Sequence, residues 1–162
     1  MEHLHVQIHS SIIEYHCFDE NELTDITIGR LNDNYDNYVS DTDDDITTSN
    51  IKTEAFYDIT FHGLVNIQEN AKIEYNAFQH CKFYENIEIN GTIDPYAFDD
   101  CTMNKDNKVL SIGATSVGNH ALQRFGQVSK FTLKFHDIQL GENTIGAYAF
   151  FEANITGDVE IP

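Results

Sequence analysis

The sequence predicts a repeat solenoid that is mainly β, a rod of about six or seven rungs built from parallel strands and short turns. Three observations predict it. A six-residue motif recurs along the chain, short alternating segments lie between its copies, and 162 residues suffice for one hydrophobic core. We therefore expect residues 1–162 to form a single domain, with an acidic insertion at about residues 29–50.

The recurring motif is a box of six residues, which begins with an aliphatic residue and ends with a small residue followed by a large apolar one. One complete copy is Ile73-Glu74-Tyr75-Asn76-Ala77-Phe78. The copies begin at positions 13, 51, 73, 93, 117 and 145. A single rung cannot bury its large residue, whereas stacked rungs bury a continuous column. The predicted repeat core is this column of box-end residues: Phe18, Phe56, Phe78, Phe98, Leu122 and Phe150.

Seven segments between the boxes alternate β-branched or aromatic residues with polar ones, which is the pattern of short half-buried strands. These segments are residues 6–8, 26–28, 59–61, 87–89, 109–112, 131–135 and 159–161. Helical periodicity is short throughout, so only brief helical turns are expected around each Ala-Phe pair. Residues 61–78 also match residues 135–150, with a difference in length of two residues. This match predicts that His62 and His136 occupy equivalent structural positions at strand ends.

The acidic insertion interrupts the repeat, because the step between the first two boxes is longer than the others. Its Asp, Asn and Thr residues favour turns and solvation over packing. Asp41, Asp43 and Asp45 place carboxylates at alternate positions, and calcium prefers several oxygen ligands, so these residues are a weak calcium candidate. The glycine and closing glutamate of an EF-hand do not follow at the right offsets. A solvated acidic loop is the alternative interpretation.

Residues that could carry chemistry are few. The sequence has no Gly-x-Ser-x-Gly motif, no glycine-rich phosphate loop and no His-Glu-x-x-His motif. None of the eight histidines lies at a spacing that completes a tetrahedral zinc site. Cys81 and Cys101 share one repeat position, which predicts two buried thiols on neighbouring rungs. We therefore predict that the protein is not an enzyme and binds no cofactor.

The charge of the chain bears on its partners. The formal net charge is −18, which repels phosphate backbones and disfavours nucleic-acid binding. No apolar run approaches the roughly 18 residues of a membrane span. No secretory signal is visible, so we expect an intracellular protein or a part of an assembled particle such as a virion. A location on the cell surface would require another export route, or an origin within a longer protein.

Particular residues of the boxes resemble a known family. Ala77-Phe78-Gln79-His80-Cys81, Ala97-Phe98-Asp99-Asp100-Cys101 and Val159-Glu160-Ile161-Pro162 are similar to the repeat of the BspA-like leucine-rich repeat family. The resemblance covers about residues 3–162, although repeat length varies and the typical Ile-Pro occurs once. It implies a leucine-rich repeat rod and a use as a surface adhesin or protein-binding module.

These observations lead to one main hypothesis and two alternatives. The main hypothesis is a non-enzymatic protein-binding or structural repeat module, with membership of a larger assembly as one of its uses. The alternatives are a surface adhesion or host-recognition domain, and a calcium-dependent or carbohydrate-related module. Residues 14–45 are strongly acidic and residues 105–134 are basic, and the last segment is strand-like. This asymmetry predicts self-association through the C-terminal end.

Overall fold

The computed structural model describes residues 6–8, 12–15, 17–18, 22–28, 49–69, 71–114, 116–136, 145–157 and 159, and these residues form three parallel sheets. Sheet A contains β1 (Val6–Ile8), β4 (Ile26–Ile28), β7 (Val65–Ile67), β10 (Ile87–Ile89), β13 (Lys108–Ile112) and β14 (Phe131–Phe135). Sheet B contains β2 (Ile12–Ile13), β5 (Ser49–Ile51), β8 (Ala71–Ile73) and β11 (Thr92–Ile93). Sheet C contains β3 (Glu22–Leu23), β6 (Thr60–Phe61), β9 (Lys82–Phe83) and β12 (Thr102–Met103).

Four turns of the solenoid, which begin at β1, β4, β7 and β10, pass through sheets A, B and C in that order. The chain runs through β7, β8 and β9, and then β10 pairs in parallel with β7. Successive turns therefore stack as rungs around one core. Parallel bridges extend the sheet B ladder from Ile93 to Val117 and from Val117 to Ile145, and Ile155 forms a bridge with Phe131 of β14.

Strand residues alternate between the core and the solvent, as a period of two requires. In β7, Val65 and Ile67 are fully buried and Asn66 between them is partly exposed. Ile87 and Ile89 of β10 are buried in the same way. The predicted mainly β solenoid with parallel strands is thus confirmed, and the described residues contain no helix.

The position of individual strands differs from the sequence prediction in two places. Residues 59–61 contribute β6 to sheet C, whereas sheet A receives β7, a strand that the alternation did not identify. The four turns that begin at β1, β4, β7 and β10 each carry three short strands, and alternation over two or three residues does not show which sheet a strand joins. In the predicted last strand, Val159 lies outside any strand, and residues 160–161 are not among the described residues.

The boxes form the corner between sheets B and C, and this corner uses left-handed backbone twice per rung. Eleven described non-glycine residues have positive φ, and ten of them occupy either the fourth box position or the second position after the box. A left-handed conformation costs an L-residue about 1–2 kcal/mol. Hydrogen bonds between rungs offset this cost: the Phe56, Phe78 and Phe98 amides each donate to an alanine carbonyl of the next box at 2.8 Å.

The core contains two parallel stacks of phenylalanine rings. Phe56, Phe78 and Phe98 are fully buried, and their ring centroids lie 4.7 and 4.8 Å apart along the first stack. Phe61 and Phe83 stack at 5.1 Å in the second. The two stacks meet at tilted contacts, such as 6.0 Å between Phe61 and Phe78. Such geometries are favourable for aromatic pairs, and the residues themselves supply much of the buried apolar surface.

The insertion predicted at about residues 29–50 remains a prediction, since residues 29–48 lie outside the described part. The bounds of the neighbouring strands locate it nonetheless. The connection from β7 to β8 has three residues, whereas residues 29–48 occupy the same connection between β4 and β5. The additional chain length therefore enters at the corner between sheets A and B.

Candidate functional site

Aromatic side chains form a continuous row on the outer side of the boxes, which we call the aromatic edge. It consists of Tyr75, Tyr96, His120, Tyr148 and Phe151. The Tyr96 and His120 rings stack at 4.8 Å, and the His120 and Tyr148 rings stack at 5.1 Å. Edge-on contacts to Tyr75 at 5.5 Å and to Phe151 at 5.8 Å extend the row in both directions. Side chains of four successive rungs thus make one surface.

The three stacked rings of the row line up because they occupy the same box position on rungs about 4.8 Å apart. Tyr96, His120 and Tyr148 all occupy the fourth box position, with φ between 57° and 59°. Asn76 has the same conformation at the same position, with φ of 56°. Asparagine suits left-handed backbone better than tyrosine does. The fold therefore does not require an aromatic residue at the fourth box position. Packing alone does not explain why these three boxes have an aromatic ring there.

The aromatic edge is more exposed than a packing role would require. Tyr148 is 64% exposed, Tyr75 is 49% exposed and Phe151 is 46% exposed. The His120 ring is held in place because its Nδ1 lies 2.5 Å from Gln123 Oε1, which accepts its hydrogen bond. An exposed, ordered aromatic surface is characteristic of interaction sites.

Negative charge is concentrated on the same corner. We define the box corners as the described residues within 14–20, 52–58, 74–80, 94–100, 118–124 and 146–152. Their charged residues are eight acids and two bases: Glu14, Glu54, Asp58, Glu74, Asp94, Asp99, Asp100 and Glu152, with Lys52 and Arg124. The other described residues carry six acids and six bases. The net charge of the described rod therefore lies entirely on the box corners.

A buried ion pair fixes one part of these corners. Asp99 is 4% exposed, and both of its carboxylate oxygens accept hydrogen bonds from Arg124 Nη2 at 3.1 Å. Gln79 Nε2 donates a further bond to Asp99 at 3.2 Å. Asp100 lies 3.5 Å from Arg124 Nε and 3.4 Å from His80 Nδ1. The network links three rungs.

A second polar cluster lies at the corner between sheets A and B. His136 Nε2 is 2.8 Å from Asn90 Oδ1, and His136 Nδ1 is 3.0 Å from Ser111 Oγ. Asn90 Oδ1 can only accept, so Nε2 donates to it, and Nδ1 forms a hydrogen bond with the serine hydroxyl. A Cβ at Gly113 would lie 2.5 Å from Asn90 Oδ1 and 2.7 Å from His136 Nε2. Glycine thus provides the space that the cluster needs.

The predicted equivalence of His62 and His136 is wrong. His62 follows β6 of sheet C and stacks on Tyr84 at 4.9 Å, whereas His136 follows β14 of sheet A. The two stretches share letters but belong to different corners of the rung. Repeat length varies along the chain. A two-residue difference in length is therefore enough to align segments that belong to different sheets.

The predicted repeat-core residues differ in how deeply they are buried. Phe56, Phe78, Phe98 and Leu122 are fully buried, while Phe18 and Phe150 are partly buried. Phe18 stacks on Phe56 at 4.9 Å. Phe150 meets Phe135 edge-on at 5.9 Å. The burial of the flanking members is lower than that of the four residues between them.

The sequence-predicted metal and thiol positions have separate outcomes. Asp41, Asp43 and Asp45 lie outside the described residues, so the calcium site stays a prediction. Within the described ranges, no group of three or more His, Cys, Asp or Glu side chains is arranged to hold a metal ion. Cys81 and Cys101 are buried free thiols whose Sγ atoms donate to the carbonyls of Phe56 and Phe78. Burial raises the pKa of the Cys101 thiol, which opposes thiolate formation.

An electrostatic cluster between sheets C and A completes the charged features. Glu85 binds Lys105 at 2.6 Å through one carboxylate oxygen and Lys108 through the other. Hydrogen bonds from both ammonium groups lower the pKa of the Glu85 carboxyl.

The described part of the chain has no helix long and apolar enough to cross a membrane.

Comparison with known proteins identifies the repeat. The sequence model of the family described as "BspA type Leucine rich repeat region" matches residues 42–156 in six copies. Neither the curated proteins nor the solved structures provide a match to the chain. The matched range covers more than half of the chain and contains five of the six boxes, so the chain belongs to the BspA-type leucine-rich repeat family.

Proposed function

We propose that the chain is a non-enzymatic protein-binding repeat module and that the aromatic edge is its contact surface. The observation that supports this proposal is the row of exposed rings from Tyr75 to Phe151. Tyrosine is enriched in protein interfaces and among the residues that dominate their binding energy. The surrounding sheets keep the rings in a fixed order, so little conformational entropy is lost when they bind.

A carbohydrate ligand is less compatible with this surface. Sugars stack on the free faces of aromatic rings, but the rings at positions 96, 120 and 148 cover one another's faces at 4.8 and 5.1 Å. The surface that remains offers ring edges and phenol hydroxyl groups. These groups suit the mixed polar and apolar surface of a protein partner.

Photo-crosslinking tests the proposed function. A photoreactive phenylalanine analogue replaces Tyr148 in one variant and Tyr84, at the corner between sheets C and A, in a matched control. After irradiation in an extract of the source cells, adducts are mapped by mass spectrometry. We expect protein adducts at position 148 in clear excess over position 84. Equal yields at the two positions, or none at 148, would contradict the proposal.

Two uses of such a module remain distinct proposals: a subunit of a larger assembly, and an adhesion or recognition domain. Self-association through the C-terminal end would favour the first. That contact is supported only by the sequence asymmetry between acidic residues 14–45 and basic residues 105–134. Light scattering over a salt series tests it. We expect an oligomer that dissociates as salt screens the charges, and a monomer at all salt concentrations would be the opposite result.

A further inference from the structure

We infer that the aromatic edge binds an extended, arginine-rich segment of another protein. The inference rests on the proposed function and specifies the chemistry of the partner. It starts from the coincidence of two surfaces: the exposed rings and the net negative charge of the described rod lie on the same box corners. Neither sheet A nor the other corners combine these two properties in the described residues.

Charge selects a basic partner. Two of the acids next to the rings form ion pairs with lysines, Glu74 with Lys52 at 2.8 Å and Asp94 with Lys72 at 3.3 Å. Asp58 also pairs with Lys82 at 3.5 Å, and Asp99 and Asp100 share Arg124, so four bases face the eight corner acids. The acids that remain in excess include the exposed Glu152 directly after Phe151. Complementary charge steers association and excludes like-charged partners. A second copy of this acidic corner would be repelled, so self-pairing of the edge is disfavoured.

Ring chemistry selects arginine over lysine. A guanidinium is planar, stacks on aromatic rings and binds a carboxylate through two parallel hydrogen bonds, whereas an ammonium acts as a compact charge. The corner already contains one such arrangement, since Arg124 Nη2 contacts both oxygens of Asp99 at 3.1 Å. The stacked rings at positions 96, 120 and 148 cover one another's faces, so the rings open to a guanidinium are Tyr75 and Phe151 at the two ends of the row, which have edge-on contacts and are 49% and 46% exposed. Arginines of a partner would find a ring at each end of the edge, with the exposed Glu152 directly after Phe151.

Geometry selects an extended segment. The edge crosses four rungs, or three spacings of about 4.8 Å, so it is about 14 Å long. An extended chain rises about 3.3 Å per residue and places alternate side chains on one face. Roughly five extended residues therefore span the edge, so that arginines at the first and fifth positions would face Tyr75 and Phe151.

The test uses purified protein and synthetic peptides. Fluorescence anisotropy follows the binding of three labelled twelve-residue peptides, in which serine alternates with arginine, lysine or glutamate. We expect saturable binding of the arginine peptide, binding of the lysine peptide that is several-fold weaker, and no binding of the glutamate peptide. The double variant Tyr75→Ala and Phe151→Ala should weaken arginine-peptide binding about tenfold or more. Tyr84→Ala is the matched control and should bind like the wild type.

Three results would overturn the inference: equal affinity for arginine and lysine peptides, unchanged affinity of the double variant, or an equal loss in Tyr84→Ala. The second result would mean that peptides respond to net charge alone. Thermal melting of each variant confirms that it is folded before binding is measured. If the arginine peptide fails but crosslinking at position 148 succeeds, the partner chemistry is wrong and the proposed function stands. If crosslinking at 148 also fails, the proposed function is wrong.

Discussion

Phe78 illustrates how a single side chain joins three rungs. Its ring lies between Phe56 at 4.7 Å and Phe98 at 4.8 Å, and it also contacts Phe61 of the second stack at 6.0 Å. Its amide donates to Ala97 of the next box at 2.8 Å. Side chain and backbone therefore hold the same interface between rungs, and the loss of the ring would be felt on both neighbours.

Phe78→Ala should lower the free energy of unfolding by about 3–5 kcal/mol, because it removes a fully buried ring and leaves a cavity. Urea denaturation measures the change. Phe151→Ala provides the control, since its ring is 46% exposed, and it should change stability by only about 0.5 kcal/mol. A loss below about 1 kcal/mol for Phe78→Ala would contradict the assignment of this residue to the core.

Gly113→Ala should be destabilising by about 1–3 kcal/mol, because the new Cβ would collide with the hydrogen bond between Asn90 and His136. His136→Ala removes one of the colliding groups. In a double-mutant cycle, the cost of Gly113→Ala should therefore fall when position 136 is alanine. Strictly additive effects would show that the close approach at Gly113 does not determine its identity.

Sequence reasoning at the residue scale identified the box-end residues because burial leaves a regular apolar signal, as at Phe56, Phe78 and Phe98. It missed the aromatic edge. Tyr96 and Tyr148 stand at the same box position as Asn76 and His120, so this position shows no single residue type. An alignment of the outward box positions would have shown the recurring rings, but only the structure shows that they touch.

At the scale of elements, ion pairs connect strands of different sheets, which share no ladder of backbone hydrogen bonds. Glu85 follows β9 of sheet C, while Lys108 begins β13 of sheet A on the next turn. The paired ammonium groups lower the pKa of Glu85. A carboxyl whose folded-state pKa is lowered adds stability above its unfolded pKa, and this contribution disappears as the pH falls through the folded pKa.

Glu85→Gln should therefore reduce stability modestly at pH 7, by at most about 1 kcal/mol for such a partly exposed pair. The difference from the wild type should vanish once the pH falls well below the ordinary carboxyl value of 4.5. Urea unfolding at several pH values measures it. Glu69→Gln, in an exposed turn, is the control. A difference that persists unchanged at low pH would indicate that the ion pairs are not its cause.

Strands were predictable where apolar and polar residues alternate clearly. They were less predictable where strands of two or three residues lie close together along the chain. The alternation at Ile87, Glu88 and Ile89 predicted β10 correctly. The stretch that contains Thr60, Phe61 and Val65 was ambiguous, because β6 and β7 lie only three residues apart and belong to different sheets. Stacking between rungs, and not local preference, decides which of these segments joins sheet A.

At the scale of the whole molecule, the net charge of the described residues is confined to one set of corners of the rod. The described residues outside the box corners are electrically balanced, and the corners carry the excess of acids. Long-range attraction of a basic partner would therefore orient it towards one side of the rod. The acidic insertion adds further negative charge to the chain.

Deletion of residues 34–45 should leave the fold and its melting temperature largely unchanged, because residues 29–48 join β4 to β5, and the equivalent connection between β7 and β8 has only three residues. Long surface connections also cost little in loop entropy. Circular dichroism and thermal melting compare the deletion with the full chain. Loss of folding would place this segment in the core and contradict the predicted insertion.

Oxidative footprinting of the complex tests the central claim most directly. Hydroxyl radicals label exposed aromatic side chains, and the chain is compared free and saturated with the partner that crosslinking identifies. We predict that Tyr75, Tyr148 and Phe151 lose labelling several-fold in the complex, whereas Tyr84, at the corner between sheets C and A, keeps its labelling. Protection of Tyr84 with unchanged labelling of the aromatic edge would contradict the account.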